Sequence, residues 1–246
     1  MLGLAILLAA IFFVAALVRS ALGFGDALVA MPLLTLAIGL NSAAPLFAAV
    51  AFLSSVAILW GSWGEVHWRD ALPLVLGSAA GIPFGLVLLS RAPEAAMKAA
   101  LGVVIIVFVL ARHFVPGLRI KRGGTKRAVL AGLVAGVLGG AYNINGPPVA
   151  IFGTLRGWSP QRFRATMQGF FLPSGALLVT GHAVAGLWTQ RLAILAVLCL
   201  PAMLVGVRLG AFLNRSIEPE RFEHWIRALL ILIGALLIIQ TLVERA

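Results

Sequence analysis

The feature that most constrains this chain is its long stretches of continuously apolar residues. Ala43–Trp60, Ala71–Leu89, Ala95–Leu110, Ala165–Thr180, Leu192–Leu213 and Trp225–Val243 each run for many residues with hardly a charge. A helix crossing a bilayer needs about 20 mostly apolar residues. Lipid-spanning strands would alternate apolar and polar side chains with period two, and these runs do not alternate. Two further segments, Leu2–Leu40 and Ala128–Leu155, are apolar but interrupted. Composition agrees: 61% of the 246 residues are hydrophobic and 11% are charged, against about a quarter charged in a soluble domain. The expected fold is an all-α polytopic membrane protein. The start Met1–Leu4 lacks a basic region and is not read as a cleaved signal peptide.

The net charge of +11 does not point to nucleic acid, because the basic residues sit in short loops between apolar runs. That is the positive-inside pattern of a membrane protein. The most basic loop, Arg112–Arg127, is expected in the cytoplasm. Counting back, the Arg91–Glu94 turn falls outside, Gly61–Asp70 inside and Gly39–Asn41 outside. Counting forward, Arg156–Arg164 carries Arg156, Arg162 and Arg164 with no acid, so it too is expected inside, and Arg245 outside. Ala128–Leu155 then begins and ends on one side. It is either a hairpin dipping into the membrane or two short spans.

The basic loop also divides the chain. The expected organisation is a first transmembrane repeat over 1–118, a cytoplasmic linker over 119–127 and a second repeat over 128–246. Leu17–Gly23 reads LVRSALG and Leu133–Gly139 reads LVAGVLG, at an offset of 116 residues that Pro32 and Pro148 share. Gly61 and Trp68 recur as Gly181 and Trp188 at an offset of 120. Each half reads as a broken or re-entrant hairpin segment followed by three spanning helices. With an odd net number of crossings per half, the two repeats are expected to be inverted relative to each other. The alternative is eight spans in parallel repeats, which would leave three arginines outside.

Helical backbone satisfies its own hydrogen bonds; a break at membrane depth is tolerated only where it lines a cavity or is buried in protein. The two interruptions are therefore the candidate site. The first is Arg19-Ser20-Ala21-Leu22-Gly23-Phe24-Gly25-Asp26, with Gly23 and Gly25 allowing a sharp turn. Asp26 reads three ways: as an N-cap of the following helix, as a titratable coupling group, or as a partner for Arg19. Arg19 itself either snorkels to the interface or belongs to the site. The second is Gly139-Gly140-Ala141-Tyr142-Asn143-Ile144-Asn145-Gly146-Pro147-Pro148. Proline suits the first helical turn, so Asn145 or Gly146 becomes the cap and the positive helix end offers an anion site. Asn143 and Asn145 add amide donors, or serve only in turns and caps. Tyr142 is either a packed ring or a hydroxyl donor. With Asp26 the one acid in either break, the balance suits a small anion better than a metal cation.

Other polar residues are weaker candidates. Gln168 lies where it can reach the cavity, with Arg164 and Thr166 nearby. Arg208 either snorkels or supplies a cation. Ser54 and Ser55 read as bonding back to their own helix. His67, His113, His182 and His224 fall at run ends and read as interfacial. Trp60, Trp63, Trp68, Trp158, Trp188 and Trp225 read as an aromatic belt. The single cysteine, Cys199, excludes an intramolecular disulfide and reads as core filler.

LGFGDALVAMPLL and LGGAYNINGPPVAIFGTLRGW together resemble the sulfite exporter TauE/SafE family of bacterial membrane permeases. The resemblance covers nearly the whole chain and rests on two glycine-rich breaks, each followed by a proline. It implies transport of sulfite, sulfonates or related carboxylates across the bacterial inner membrane, without a cofactor. Relatives often carry a further glycine where this chain has Asp26, and a Gly- or Ser-rich second break where this one is Asn-rich. The substrate-binding set expected on these grounds is Arg19, Gly23, Phe24, Gly25, Asp26, Tyr142, Asn143, Asn145, Gly146, Pro147 and Gln168. The expected partners are a small anion and the bilayer, with a homodimer left open.

A membrane-embedded enzyme would need a nucleophile with its base, paired acids or a metal constellation, and Asp26 stands without a second acid. A channel filter normally repeats around a symmetric pore. No GxxxxGK[ST] loop is present for ATP-driven transport within the chain.

Overall fold

The computed structural model describes residues 2–59, 64, 66–114, 124–213, 231, 235 and 239. Expectations for Trp60, Gly61, Trp63, His224, nearly all of the run Trp225–Val243 and Arg245, and for most of the basic linker, lie outside them. The described residues form helices α1 (Leu2–Leu22), α2 (Asp26–Ile38), α3 (Leu40–Leu59), α4 (Trp68–Arg91), α5 (Glu94–Phe114), α6 (Thr125–Tyr142), α7 (Gly146–Leu155), α8 (Pro160–Val184) and α9 (Gln190–Leu213). Four stretches are long and apolar enough to cross a membrane: Gly3–Ser20, Leu40–Leu59, Trp68–Arg91 and Gln190–Gly210. Helices α5 and α8 cover the other two described apolar runs.

Both interrupted segments are a long helix followed by a short one. The short arms have 13 and 10 residues. At 1.5 Å per residue that is about 20 and 15 Å, too little for a hydrocarbon core of about 30 Å. Neither short arm is a span by itself.

Most of the buried side chains form one apolar core that includes Phe12, Met31, Leu34, Leu74, Ile105, Ile144 and Phe170. Exposed apolar residues such as Leu76, Phe84, Val87, Val134 and Val197 lie on the outer faces, as expected where the solvent is lipid.

The closest helix pair is α4 against α6, and glycine makes it possible. Gly77, Gly81 and Gly85 on α4 face the carbonyl oxygens of Val129, Leu133 and Val137. Gly132, Gly136 and Gly140 on α6 face those of Leu74, Ser78 and Ile82. A Cβ at any of the six would fall within 3.0 Å of the opposing backbone. This is small-xxx-small packing carried through three turns on both helices, with glycine Cα–H groups directed at carbonyl oxygens. A similar seam joins α1 to α9. Gly206 and Gly210 abut Phe13, Ala16, Leu17 and Ser20, and the Ser20 hydroxyl donates to the Val207 carbonyl at 2.8 Å. Helix α4 also packs on α8, α9 on α3, and α3 on α8.

Two polar links tie the turns together. The Leu40 N–H donates to Glu94 Oε1 at 3.1 Å, joining the α2–α3 turn to the start of α5. Arg162 donates through Nε to Asp70 Oδ2 at 2.7 Å, with Nη2 at 2.6 Å, joining the start of α8 to the start of α4. These links lie at opposite ends of α4.

Candidate functional site

Helix α1 ends because Gly23 takes a left-handed conformation (φ 79°) and Gly25 another (φ 101°), which glycine adopts without a Cβ penalty. Gly25 is the cap residue of α2, and no side chain caps that helix start. Asp26 is therefore the first helical residue, not the cap. Its carboxylate instead pairs with Arg19, Oδ2 to Nη1 at 2.9 Å, both side chains being buried. Of the three readings of Asp26, the cap fails and the Arg19 partnership holds.

The second break is built differently. Asn143 closes α6 in the left-handed region (φ 57°), a conformation asparagine tolerates better than other non-glycine residues. Its side chain does more than turn chemistry: Nδ2 donates across to the Ala44 carbonyl of α3 at 2.8 Å. Asn145 occupies the cap position of α7, as the proline spacing predicts, but makes no side-chain cap bond. Pro147 and Pro148 follow Gly146, so two of the first N–H groups of α7 do not exist. The donors free at helix starts come more from α2 than from α7.

The breaks meet. A Cβ at Gly146 would lie 3.4 Å from the Phe24 side chain and 3.3 Å from Phe171. Phe24 is buried edge-on between Phe108 and Phe163, so it holds the first break in place from behind. At their junction is a small cavity of about 30 Å³ lined by Arg19, Asp26, Asn143 and Asn145, with α3 and α8 completing its walls. A water needs about 10–15 Å³ measured this way, so the cavity has room for about two to three waters, the scale of a small ion.

Arg19 is the most connected side chain there. Nη2 donates to Ser55 Oγ at 2.8 Å and to Gln168 Oε1 at 3.2 Å. The guanidinium lies over the Phe171 ring, 5.1 Å from its centroid, within the range of a cation–π contact. Arg19 does not snorkel; it is 3% exposed. It also lines a second, wider cavity of about 230 Å³, with Gly23, Arg164 and Gln168 among its walls. The guanidinium thus stands between a tight inner chamber and a wider outer one holding a second arginine.

Not every expected residue reaches the inner chamber. Tyr142 is buried with its hydroxyl directed at Met97 Sδ, 3.5 Å away, and is a packing residue of α6. Gly23 and Gln168 line the outer cavity. Phe24, Gly25, Gly146 and Pro147 shape the breaks without lining the inner one. Arg208 is exposed and lines neither. His182, read as interfacial, is fully buried, with neither ring nitrogen bonded. Ser54 bonds back to Ala51 as expected. Ser55 does the same while also accepting from Arg19. Missed from sequence were Phe47, Ala48, Ala51, Phe52, Phe171, Gly175 and Leu178. Their signal was the spacing of small residues Ala48, Ala51 and Ser55 along one helical face.

A family model described as "Sulfite exporter TauE/SafE" matches residues 8–239. Among curated proteins, the "Probable sulfite/organosulfonate exporter TauE" of Cupriavidus necator is 23% identical over 223 residues, covering 88% of this chain and 87% of that protein. No solved structure matches.

Proposed function

Since this multi-pass membrane chain belongs to the sulfite exporter TauE/SafE family, a family of transporters and not enzymes, we propose that it is a secondary transporter of a small sulfur-containing monoanion. The carrying observation is the convergence of Arg19, Asp26, Asn143 and Asn145 on one buried cavity. Arg19 supplies the positive charge, and the uncapped start of α2 supplies backbone donors. The name of the Cupriavidus relative supports sulfite or an organosulfonate as cargo. The bilayer is the bacterial inner membrane.

The route is alternating access, in a chain built as two inverted halves. Supporting this, packing pairs exchange between halves: α4 on α6 and α9 on α1, α4 on α8 and α9 on α3. Element boundaries recur at one offset of 120 residues: Leu22 with Tyr142, Asp26 with Gly146, and Leu40 with Pro160. Gly23 and Asn143, both left-handed, share that offset, as do the cavity residues Ala51 with Phe171 and Ser55 with Gly175. The register of the breaks is then 120 and not 116. The difference of four is about one helical turn, which is why LVRSALG also slides onto LVAGVLG. In this register Gly139 and Gly146 stand opposite Arg19 and Asp26, so one half carries the ion pair and the other carries none.

Asp26 couples transport to protons. An anion beside an ionised Asp26 meets repulsion, which protonation removes. The test is uptake of sulfite into proteoliposomes with and without a pH gradient. Wild-type protein accumulates sulfite in response to the gradient, and Asp26→Asn binds it without that response. A gradient response unchanged in Asp26→Asn would refute coupling through this carboxyl.

A further inference from the structure

Two buried atoms in the Arg19–Asn143 region have no partner, and they are of opposite kind. Arg19 Nε is a donor without an acceptor, and Asn143 Oδ1 an acceptor without a donor. The bond from Asn143 Nδ2 to the Ala44 carbonyl fixes which end of the amide is oxygen, since a reversed amide would set two acceptors against each other. Asn143 is 3% exposed and lines the inner cavity together with Arg19. Buried polar groups left unpaired are costly, so a well-matched ligand supplies both an acceptor and a donor.

Building on the anion-site reading above, we propose that this site selects a monoanion carrying its own hydrogen-bond donor. The anionic oxygens face Arg19, and the ligand's O–H faces Asn143 Oδ1. Hydrogensulfite and hydroxyl-bearing short sulfonates belong to this class. Plain alkanesulfonates, lacking a donor, leave the amide oxygen unpaired. Sulfate and the sulfite dianion lack the donor too, and bring a second negative charge close to Asp26. Asn143 is thus a specificity-determining residue.

The test uses pairs matched in charge and heavy-atom count: hydroxymethanesulfonate against ethanesulfonate, and isethionate against propanesulfonate. Binding to the purified full chain is measured calorimetrically, with sulfite as reference. Wild-type protein is expected to favour the hydroxyl compound by about tenfold or more in at least one pair. Asn143→Gly keeps the left-handed backbone and removes Oδ1; its preference is expected to fall to about twofold or less. Sulfite binding with no preference within either pair, including failure to bind all four sulfonates, overturns the donor requirement and leaves the anion site standing. A preference that persists in Asn143→Gly overturns the role of Asn143. Binding of none of the probes, sulfite included, overturns the anion-site reading itself. The wild-type comparison decides the donor requirement even where the variant does not fold.

Discussion

Arg19 and Asp26 are unequal partners, and mutating each in turn exposes the inequality. Among the described residues, the Asp26 carboxylate is bonded by Arg19, whereas Arg19 is also held by Ser55, Gln168 and the Phe171 ring. Arg19→Met leaves a carboxylate in a site where the side chain is 7% exposed. Breaking a buried pair from one side costs about 3–5 kcal/mol. For a chain of this size that is a fall in Tm of about 6–20 °C. Asp26→Asn leaves the guanidinium its remaining acceptors and replaces one charged hydrogen bond, so the loss is about 1.5–3 kcal/mol. The double variant Arg19→Met/Asp26→Leu buries no charge and recovers most of the loss, since apolar replacement of a buried pair is often neutral or better. Thermal unfolding of the purified protein in detergent reads all three. The reasoning is refuted if Asp26→Asn is the more damaging single change, or if the double variant loses the sum of the two. Transport by the double variant is expected to be absent, because the charge that holds the anion is gone.

Gly81→Leu is expected to abolish folded protein and Gly81→Ala to destabilise by about 1–3 kcal/mol through overpacking, whereas Gly3→Ala, with nothing within 4 Å of its Cβ, is neutral or slightly stabilising; expression and Tm check both. Cysteines at Asp70 and Arg162 are expected to label from one side of the membrane and a cysteine at Glu94 from the other; labelling of all three from one side refutes the topology. Asn145→Ala, which breaks no side-chain bond given by the structure, is expected to weaken sulfite binding roughly tenfold while leaving Tm near wild type. Equal affinity in Asn145→Ala would restrict this residue to shaping the turn.

The breaks were legible because glycine, asparagine and proline punctuate an otherwise apolar text, and each has a backbone reason to be there. Gly23, Gly25 and Asn143 all take positive φ, and Pro147 and Pro148 mark the start of α7. The Arg19–Asp26 pair was legible as one of several alternatives, since charge at membrane depth demands a partner. The walls were not. Helix α3 is apolar or small on nearly every side, so the spacing of Ala48, Ala51 and Ser55 does not by itself say which face meets lipid and which meets the cavity. Ser55 looked self-sufficient because its bond to Ala51 satisfies the hydroxyl hydrogen; that its lone pair serves Arg19 depends on where α1 lies. Tyr142 misled for the opposite reason: it is next to the break in sequence, but its ring leaves the break for Met97.

The glycine seam between α4 and α6 has a mechanical consequence. Where two backbones touch along three turns, there are no side chains between them to change rotamer, and sliding by a fraction of a turn drives carbonyls into carbonyls. The pair behaves as a single welded strut. One of its members comes from the first half of the chain and the other from the second, and the smaller weld of α1 to α9 likewise unites the two halves. The rigid bodies of this molecule are therefore not its two sequence halves but two struts, each sharing one helix from either half. The compliant joint is left to the side-chain-mediated contact of α3 with α8, the pair that supplies most of the chamber's walls.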